Sequence, residues 1–556
     1  MSLPFDFANF RKAQEANVEK ETQEAGFDAP RETIKAASKP ASKARAKPTR
    51  AKSTAGGGAG SKKRSKPDGE SEVVVRRSTR SRVAKASTEE EKEDLRAQNE
   101  AEQEALKAEA RRQKHVDRPI EALRGVTDAG DQDSLEVLLG ELASFRMTKK
   151  EKEGGEDGWV RGERPALDAK RLKEQAEPLG LRTILKVVPD RIYSLCVHPD
   201  STKDLVFAGD KTGHIGVWDA TDAGKLVQKT SNGSILDGED AKMDEDEEEQ
   251  EETERSKGRF WVWQGHQQNS VSSLKFRPNE TNKIYSSSYD ATVRVHDFTT
   301  GTSEEVLDCD EFVDEGLIHT FDFDPTGNEI WASDGAGGLM WRDLRQSKDK
   351  TKRWQIDKAK VGCISINPAN PTLAATSHLK RELRLWDLSK LRALPTETDF
   401  DDVVEKAMIV SYPHEKAVTS AYFDPSGTRL ASTSYDDCIR IWDIDPYKPD
   451  ILSQPKKFSP KKRIDHNCQV GAYVTVLRAR WSTVSPSILP PHLHVGDMRR
   501  HLDLYSPDGA RVKTFSSDEI TAVPAVTASH PSVPGKYYGG AASGKVTFWT
   551  TEVEDE

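Results

Sequence analysis

The stretch HEKAVTSAYFDPSGTRLASTSYDDCIRIWD, residues 414–443, reads as an apolar strand with alternation, a Pro-x-Gly turn, a second strand ending in a Tyr-Asp turn, and a third strand closing on Trp-Asp. A second copy, GHQQNSVSSLKFRPNETNKIYSSSYDATVRVHD, occupies Gly265 to Asp297. Weaker copies cover Arg191–Asp219, Ile318–Asp343, Val361–Asp387, Val474–Tyr505 and Ile520–Trp549, which makes seven. A unit of three or four short strands cannot bury its own apolar face, so the copies must pack on one another.

Seven such units specify an all-β fold, a seven-bladed β-propeller. Within the best copy, His414 precedes the first strand, Ser432 lies in the second, Asp436 follows four residues later in the turn, and Trp442 stands ten after the serine. This spacing resembles the WD-repeat family, where four such residues form a hydrogen-bonded relay from the outer strand to the inner hairpin. The resemblance implies a structural relay at His414, Ser432, Asp436 and Trp442. The second copy has His296 and the third Arg342 at the tryptophan position. Those blades are expected to rely more on packing.

The last copy ends after Trp549 with no room for a fourth strand, whereas Thr183–Val187 (TILKV) is a strand-like run ahead of the first blade. Pairing the two would close the ring and remove exposed edges. The expected organisation is therefore a basic low-complexity tail with a charged helical stretch over 1–115, a linker with a short amphipathic helix over 116–182, and the propeller over 183–556. An acidic disordered loop over 232–257 and the 389–411 segment interrupt the blades. In the linker, SLEVLLGELASFR (134–146) places Leu135, Leu138, Leu139 and Leu142 on one helical face, suited to docking on the propeller or a partner.

The N-terminal region is expected to be largely disordered with short helices, Thr88–Gln113 among them. The net charge of −10 conceals segregation: residues 30–90 carry 17 Lys/Arg against six Asp/Glu, and Asp237–Glu254 holds twelve acids and one lysine. Runs of one sign repel themselves and stay solvated. Five scattered cysteines lack C-x-x-C spacing, so neither a zinc site nor a disulfide framework is expected, and reduced thiols are. No signal core and no run of eighteen apolar residues occurs, which points to a soluble intracellular protein without membrane attachment.

Ser, His and Asp recur in every good repeat at relay offsets, so they do not define a hydrolase triad. No G-x-S-x-G, phosphate-cradling glycine loop or H-E-x-x-H is present. No enzyme activity, cofactor or metal is expected.

Nucleic-acid binding has a more visible basis. In the tail, Lys62, Lys63, Arg64 and Lys66 form a nuclear-import-like cluster, and Arg76, Arg77, Arg80 and Arg82 a second basic group suited to DNA. In the propeller, the turn position of Asp436 aligns with Lys380 in the fourth blade and Arg499 in the sixth, followed by Arg381 and Arg500. Lys211 and Lys545 fall in the turns of blades one and seven, on the face also bearing Tyr289 and Tyr435. Bases for phosphates and aromatics for stacking are what DNA binding needs.

The segments KVVPDRIYSLCVHPD (186–200), KDLVFAGDKTGHIGVWD (203–219), HVGDMRRHLDLYSPDG (494–509) and ITAVPAVTASHPS (520–532), with FANFRKAQEAN (7–17), resemble the fungal DNA damage-binding WD-repeat family, the changed-mutation-rate group. The resemblance implies a nuclear protein that binds single- and double-stranded DNA, prefers ultraviolet-damaged DNA, and acts in DNA metabolism and the damage response. A monomer is expected, in the nucleus, with the cytoplasm open as a second location. The alternative is an interaction scaffold. It would be a substrate adaptor for a cullin-type ubiquitin ligase, contacting through Asp343 and Arg345, or a binder of histones or chaperones through the acidic run.

Overall fold

Seven antiparallel sheets stand around one axis in a computed structural model that describes residues 109, 115–123, 132–144, 165–228, 253–314, 316–448, 458–471, 474–484 and 488–551. The expected tail and its helix at Thr88–Gln113, apart from residue 109, lie outside the described residues, as does most of Asp237–Glu254. From the innermost strand outward, blade one is Ile192–Val197, Leu205–Asp210, His214–Asp219 and Arg259–Gln264. Blade five is Val418–Phe423, Arg429–Ser434, Cys438–Asp443 and Lys462–Asp465, and the other blades repeat this order. The chain is thus a seven-bladed propeller.

Blade seven takes its outer strand from the other end of the sequence. Leu179–Lys186 pairs antiparallel with Lys545–Thr551, from Leu179 opposite Thr551 to Lys186 opposite Lys545. The strand begins four residues before the expected Thr183. Val187 and Val188 then turn inward, fully buried, and the Val187 amide donates to the Gly544 carbonyl at 3.0 Å.

The stretch before this strand is built into the propeller's outer wall. Arg118–Pro119 adds a fifth strand to blade two. Helix α1 (Gln132–Ser144) buries Leu135, Leu138, Leu139 and Leu142 against Leu205, Phe207, Trp261 and Trp263, roughly 1.5–3 kcal/mol for each leucine taken from water. Helix α2 (Pro165–Ala176) lies along blade six, and Lys513 Nζ caps its end by donating to the Ala176, Glu177 and Leu179 carbonyls at 2.7–2.8 Å. The 389–411 segment is not an open loop. It contains most of Leu388–Ala393 and all of Phe400–Ala407, both helical, whose Leu391 and Val403 are buried, and then the start of the outer strand Met408–Pro413.

The relay is distributed differently from the expectation. Blade two completes it without tryptophan: His266 Nδ1 meets Asp290 at 2.9 Å, and Ser286 Oγ lies 2.7 Å from both His266 Nε2 and His296 Nε2. An imidazole N–H thus replaces the indole N–H. Blade four completes it with its ends exchanged. Asp357 sits in the loop where other blades have histidine, and His378 stands at the end of the second strand. Trp386 Nε1 donates to Thr376 Oγ1 (2.7 Å), Thr376 to His378 Nε2 (2.7 Å), and His378 Nδ1 to Asp357 Oδ2 (2.6 Å). Burial lowers the His378 pKa, leaving the neutral ring that this chain of donors requires. Burial also works against the Asp357 charge, but His378, Arg384 and Lys380 together hold its pKa down at about 2.

Blade five, whose sequence carries the best spacing, does not complete the relay. His414 Nε2 reaches Ser432 Oγ at 3.0 Å, but Asp436 is taken by Arg440, two N–H donors at 3.0 and 2.8 Å. Trp442 Nε1 finds no acceptor among the described residues. The competing arginine explains why His414 does not reach Asp436. Its counterpart Arg294 in blade two is drawn off by Ser303 and the Val116 carbonyl, and Arg384 in blade four, although 3.5 Å from Asp357, gives its hydrogen bonds to Glu382 and the Ile356 carbonyl and leaves Asp357 to His378.

Replacing Trp386 by Phe removes a buried hydrogen bond that Trp442→Phe does not. Trp386→Phe should therefore lower stability by about 1 kcal/mol more than Trp442→Phe. Denaturant titration of the two variants checks this, and equal losses would contradict the assignment of the relay.

Candidate nucleic-acid interface

In every blade the turn between the second and third strands opens on the same face as the loop leading to the next blade's innermost strand, because the strands alternate in direction. The third residue of these turns has positive φ in all seven blades: Gly213, Ala291, Gly337, Arg381, Asp437, Arg500 and Gly544, between 58° and 90°. The reason is visible in six of them, where this residue's carbonyl accepts an amide from the end of the outer strand, as in His414 N to Arg381 O at 2.7 Å. Only a left-handed residue turns its carbonyl that way. Three blades use glycine, for which the conformation is unstrained; at Arg381 and Arg500 it costs roughly 1–2 kcal/mol.

These two strained arginines stand in the candidate site. Lys380 and Arg381 are exposed in the blade-four turn and Arg499 and Arg500 in that of blade six. Lys380 Nζ lies 3.4 Å from Asp357, the displaced acid of the relay. Blade five intervenes with Asp436 and Asp437, but Asp436 is paired with Arg440, and Asp437 accepts from the Cys468 amide at 3.0 Å and from Gln469. Lys545 is exposed on blade seven, directly opposite Lys186 on the closing strand, an unfavourable like-charge pair. Lys211 is half-buried in the blade-one turn. The bases therefore form separate groups on blades four, six and seven-to-one, not a continuous ring.

Tyr289 and Tyr435 are not beside these bases. Each is the first residue of its turn, half-buried and directed at the innermost strands. The Tyr289 ring meets Tyr193 edge-on at 6.3 Å and His319 at 5.0 Å, and both partners are second residues of innermost strands. Burial pushes the Tyr435 phenol up to about 12, with Arg478 acting in the opposite direction. The tyrosines thus surround the mouth of the central channel, inside the ring of turns.

Arg478, which acts on Tyr435 and His319 here, and Arg480, farther along the channel, escaped the sequence reading. Arg478 is coupled to Tyr422, Tyr289 and Cys363, which raise its pKa although burial works against its charge. Arg480 lies over the Tyr422 ring at 5.3 Å. The signal was present in VTVLRARWS, two arginines at alternate positions entering an innermost strand, but it falls in a weak repeat.

Asp343 and Arg345 lie at the end of a third strand, so they open on the opposite face. Arg345 donates to both carboxylate oxygens of Asp343, at 2.9 and 2.7 Å, and these bonds hold the Asp343 carboxyl well below the usual range. The tail bases, Lys62 to Arg82, lie outside the described residues. Among the described residues, no group of three or more His, Cys, Asp or Glu is placed to hold a metal ion, and no helix is long and apolar enough to cross a membrane.

Fold and relay together define a WD-repeat propeller, and the signature of the WD domain, G-beta repeat, matches residues 259–297 and 407–443. DNA damage-binding protein CMR1 of Cryptococcus neoformans is 32% identical over 477 residues, covering 76% of this chain and 78% of that protein. The protein of the same name in Mycosarcoma maydis is 30% identical, with 70% and 74% covered, and that of Aspergillus clavatus 32% identical, with 88% of each covered. The chain belongs to the DNA damage-binding protein CMR1 family.

Arg381→Gly and Arg500→Gly should each raise stability by about 0.5–1 kcal/mol, because glycine relieves the left-handed strain and loses some of that gain to backbone entropy. Thermal melting checks this. A drop in melting temperature would show that the arginines are held there for stability.

Proposed function

We propose that this protein binds single- and double-stranded DNA through its turn face and prefers ultraviolet-damaged DNA, as a nuclear protein of DNA metabolism and the damage response. The observation that carries the reading is the pair of basic turns, Lys380–Arg381 and Arg499–Arg500, exposed on one face with two of the four bases in strained backbone. A strained residue persists where the surrounding structure holds it, and such residues cluster at functional sites. The printed names of the relatives support the same ligand. Bases on separate blades suit phosphates along a strand, since they position a backbone without reading its sequence. A lesion lowers the cost of unstacking by up to roughly a few kcal/mol, which favours a face that meets distorted DNA. The tail clusters Lys62–Lys66 and Arg76–Arg82 supply import and additional nonspecific affinity. No catalytic step, cofactor or metal enters this function.

The scaffold reading is less well supported. An adaptor docking on Arg345 would have to compete with the Asp343 pair that already occupies its guanidinium. Capture of histones or chaperones would fall to the acidic run at Asp237–Glu254, whose base is the short hairpin of Leu226–Gln228 with Thr253–Arg255.

Changing Lys380, Arg381, Arg499 and Arg500 each to Glu in the full chain should weaken binding to a lesion-bearing duplex by about tenfold or more near physiological salt. It should also flatten the dependence of affinity on salt, by about 0.9 in log–log slope for each phosphate no longer neutralised. Gel-shift titrations across salt measure both. Unchanged affinity and slope would remove the turn face from the function.

A further inference from the structure

The channel mouth holds a cation without an anion. Arg478 forms no ion pair among the described residues; the groups acting on it are the phenols of Tyr422 and Tyr289 and a thiol. Burial works against this half-buried guanidinium, and within the chain it is answered by phenols and a thiol, Tyr422 through a hydrogen bond, and by no carboxylate. The segment carrying it is held firmly over the mouth. The Ala479 amide donates to Thr433 Oγ1 of blade five at 3.0 Å, and Thr475 Oγ1 donates to the Ile192 carbonyl of blade one at 2.7 Å, spanning blade seven. Between this segment and blade seven, a cavity of about 10 Å³ is bounded by Tyr193, Arg478, Arg480 and the start of blade seven's innermost strand, room for about one oxygen atom. On the neighbouring side His319, 3% exposed, has its Nε2 unpartnered beside Tyr289.

We infer that Arg478, framed by Tyr193, Tyr289 and Tyr435, seats one backbone phosphate of an unpaired DNA strand at the mouth of the channel. The cavity is too small for a base and fits a single phosphate oxygen, while the tyrosines around it give the adjoining base an aromatic surface. The seat lies inside the ring of turns. A duplex held by Lys380, Arg381, Arg499 and Arg500 keeps its phosphates on a convex rod, whereas an unpaired or lesion-distorted strand bends inward to reach it. Those surrounding bases suit a polyanion, not an isolated carboxylate. The inference rests on the turn face being the DNA surface, and it supplies the discrimination between paired and unpaired strands that the turns alone do not.

The test uses the full chain, a fluorescent 20-mer of thymidylate and an undamaged 20-base-pair duplex, titrated at several salt concentrations. Arg478→Gln should weaken binding to the single strand by about tenfold and lower its log–log salt slope by about 0.7, one phosphate, while changing duplex affinity less than twofold. Arg478→Lys should recover part of the loss. The melting temperature of Arg478→Gln should equal or exceed the wild-type value, since a buried charge without a counter-ion has been removed. Unchanged single-strand affinity and slope would overturn the seat, as would equal loss on both DNAs. So would an Arg478-dependent affinity for a ten-residue poly-glutamate peptide alongside Arg478-independent binding of the single strand. The variant with all four turn bases changed to Glu separates the two levels: full retention of duplex binding there defeats the turn face itself, whatever Arg478 does.

Discussion

The pairing of Leu179–Lys186 with Lys545–Thr551 joins the two ends of the propeller, and the geometry of the face depends on it. A propeller open at one blade exposes two strand edges and leaves the innermost strands without a fixed axis. With the ring closed, seven turns open on one side and the first residues of the innermost strands converge beneath them. Only then do Tyr193 of blade one, Tyr289 of blade two, His319 of blade three and Arg478 before blade six come to one place. The same strand aligns Lys186 with Lys545, so the element that closes the ring also adds charge to its rim.

Within the closed ring, the blades differ in how they are braced, and this decides which turns can serve another purpose. In blade two the relay acid is Asp290, in the middle of the turn, so that position is committed to structure. Blade four moves the acid to Asp357 in the preceding loop and the imidazole to His378, which releases the middle of its turn for Lys380. Blade six braces itself through His466 and Tyr505, 3.2 Å apart, with Asp503 on the strand, which releases Arg499. The two irregular blades are therefore as well tied as the regular ones. Their irregularity lies in where the acid is placed, and the exposed bases follow from it.

The repeat, the number of blades and the origin of the closing strand were legible because they follow from strand patterning and from the need to leave no edge unpaired. The four leucines of α1 were legible for the same reason, an apolar face that must be covered. The state of each relay was not. Spacing shows that His414, Ser432, Asp436 and Trp442 could meet; it does not show that Arg440, two residues before the tryptophan, captures the acid first. Nor could spacing separate Tyr289 and Tyr435 from the bases, since the first residue of these turns is half-buried, whereas in blades four and six the second and third are exposed. Arg478 was hidden because it stands in irregular chain, and the strand that follows it, Arg480–Trp481, is short.

If turns released from bracing are the DNA surface, contact can be located directly. Photocrosslinking the full chain to an ultraviolet-lesion duplex with 5-iodouracil beside the lesion, followed by identification of the crosslinked peptides, reads that contact residue by residue. The account predicts crosslinks at 379–381, at 498–500 and around Arg478. Crosslinks confined to the tail at 62–82, or to the opposite face around Asp343 and Arg345, would contradict it.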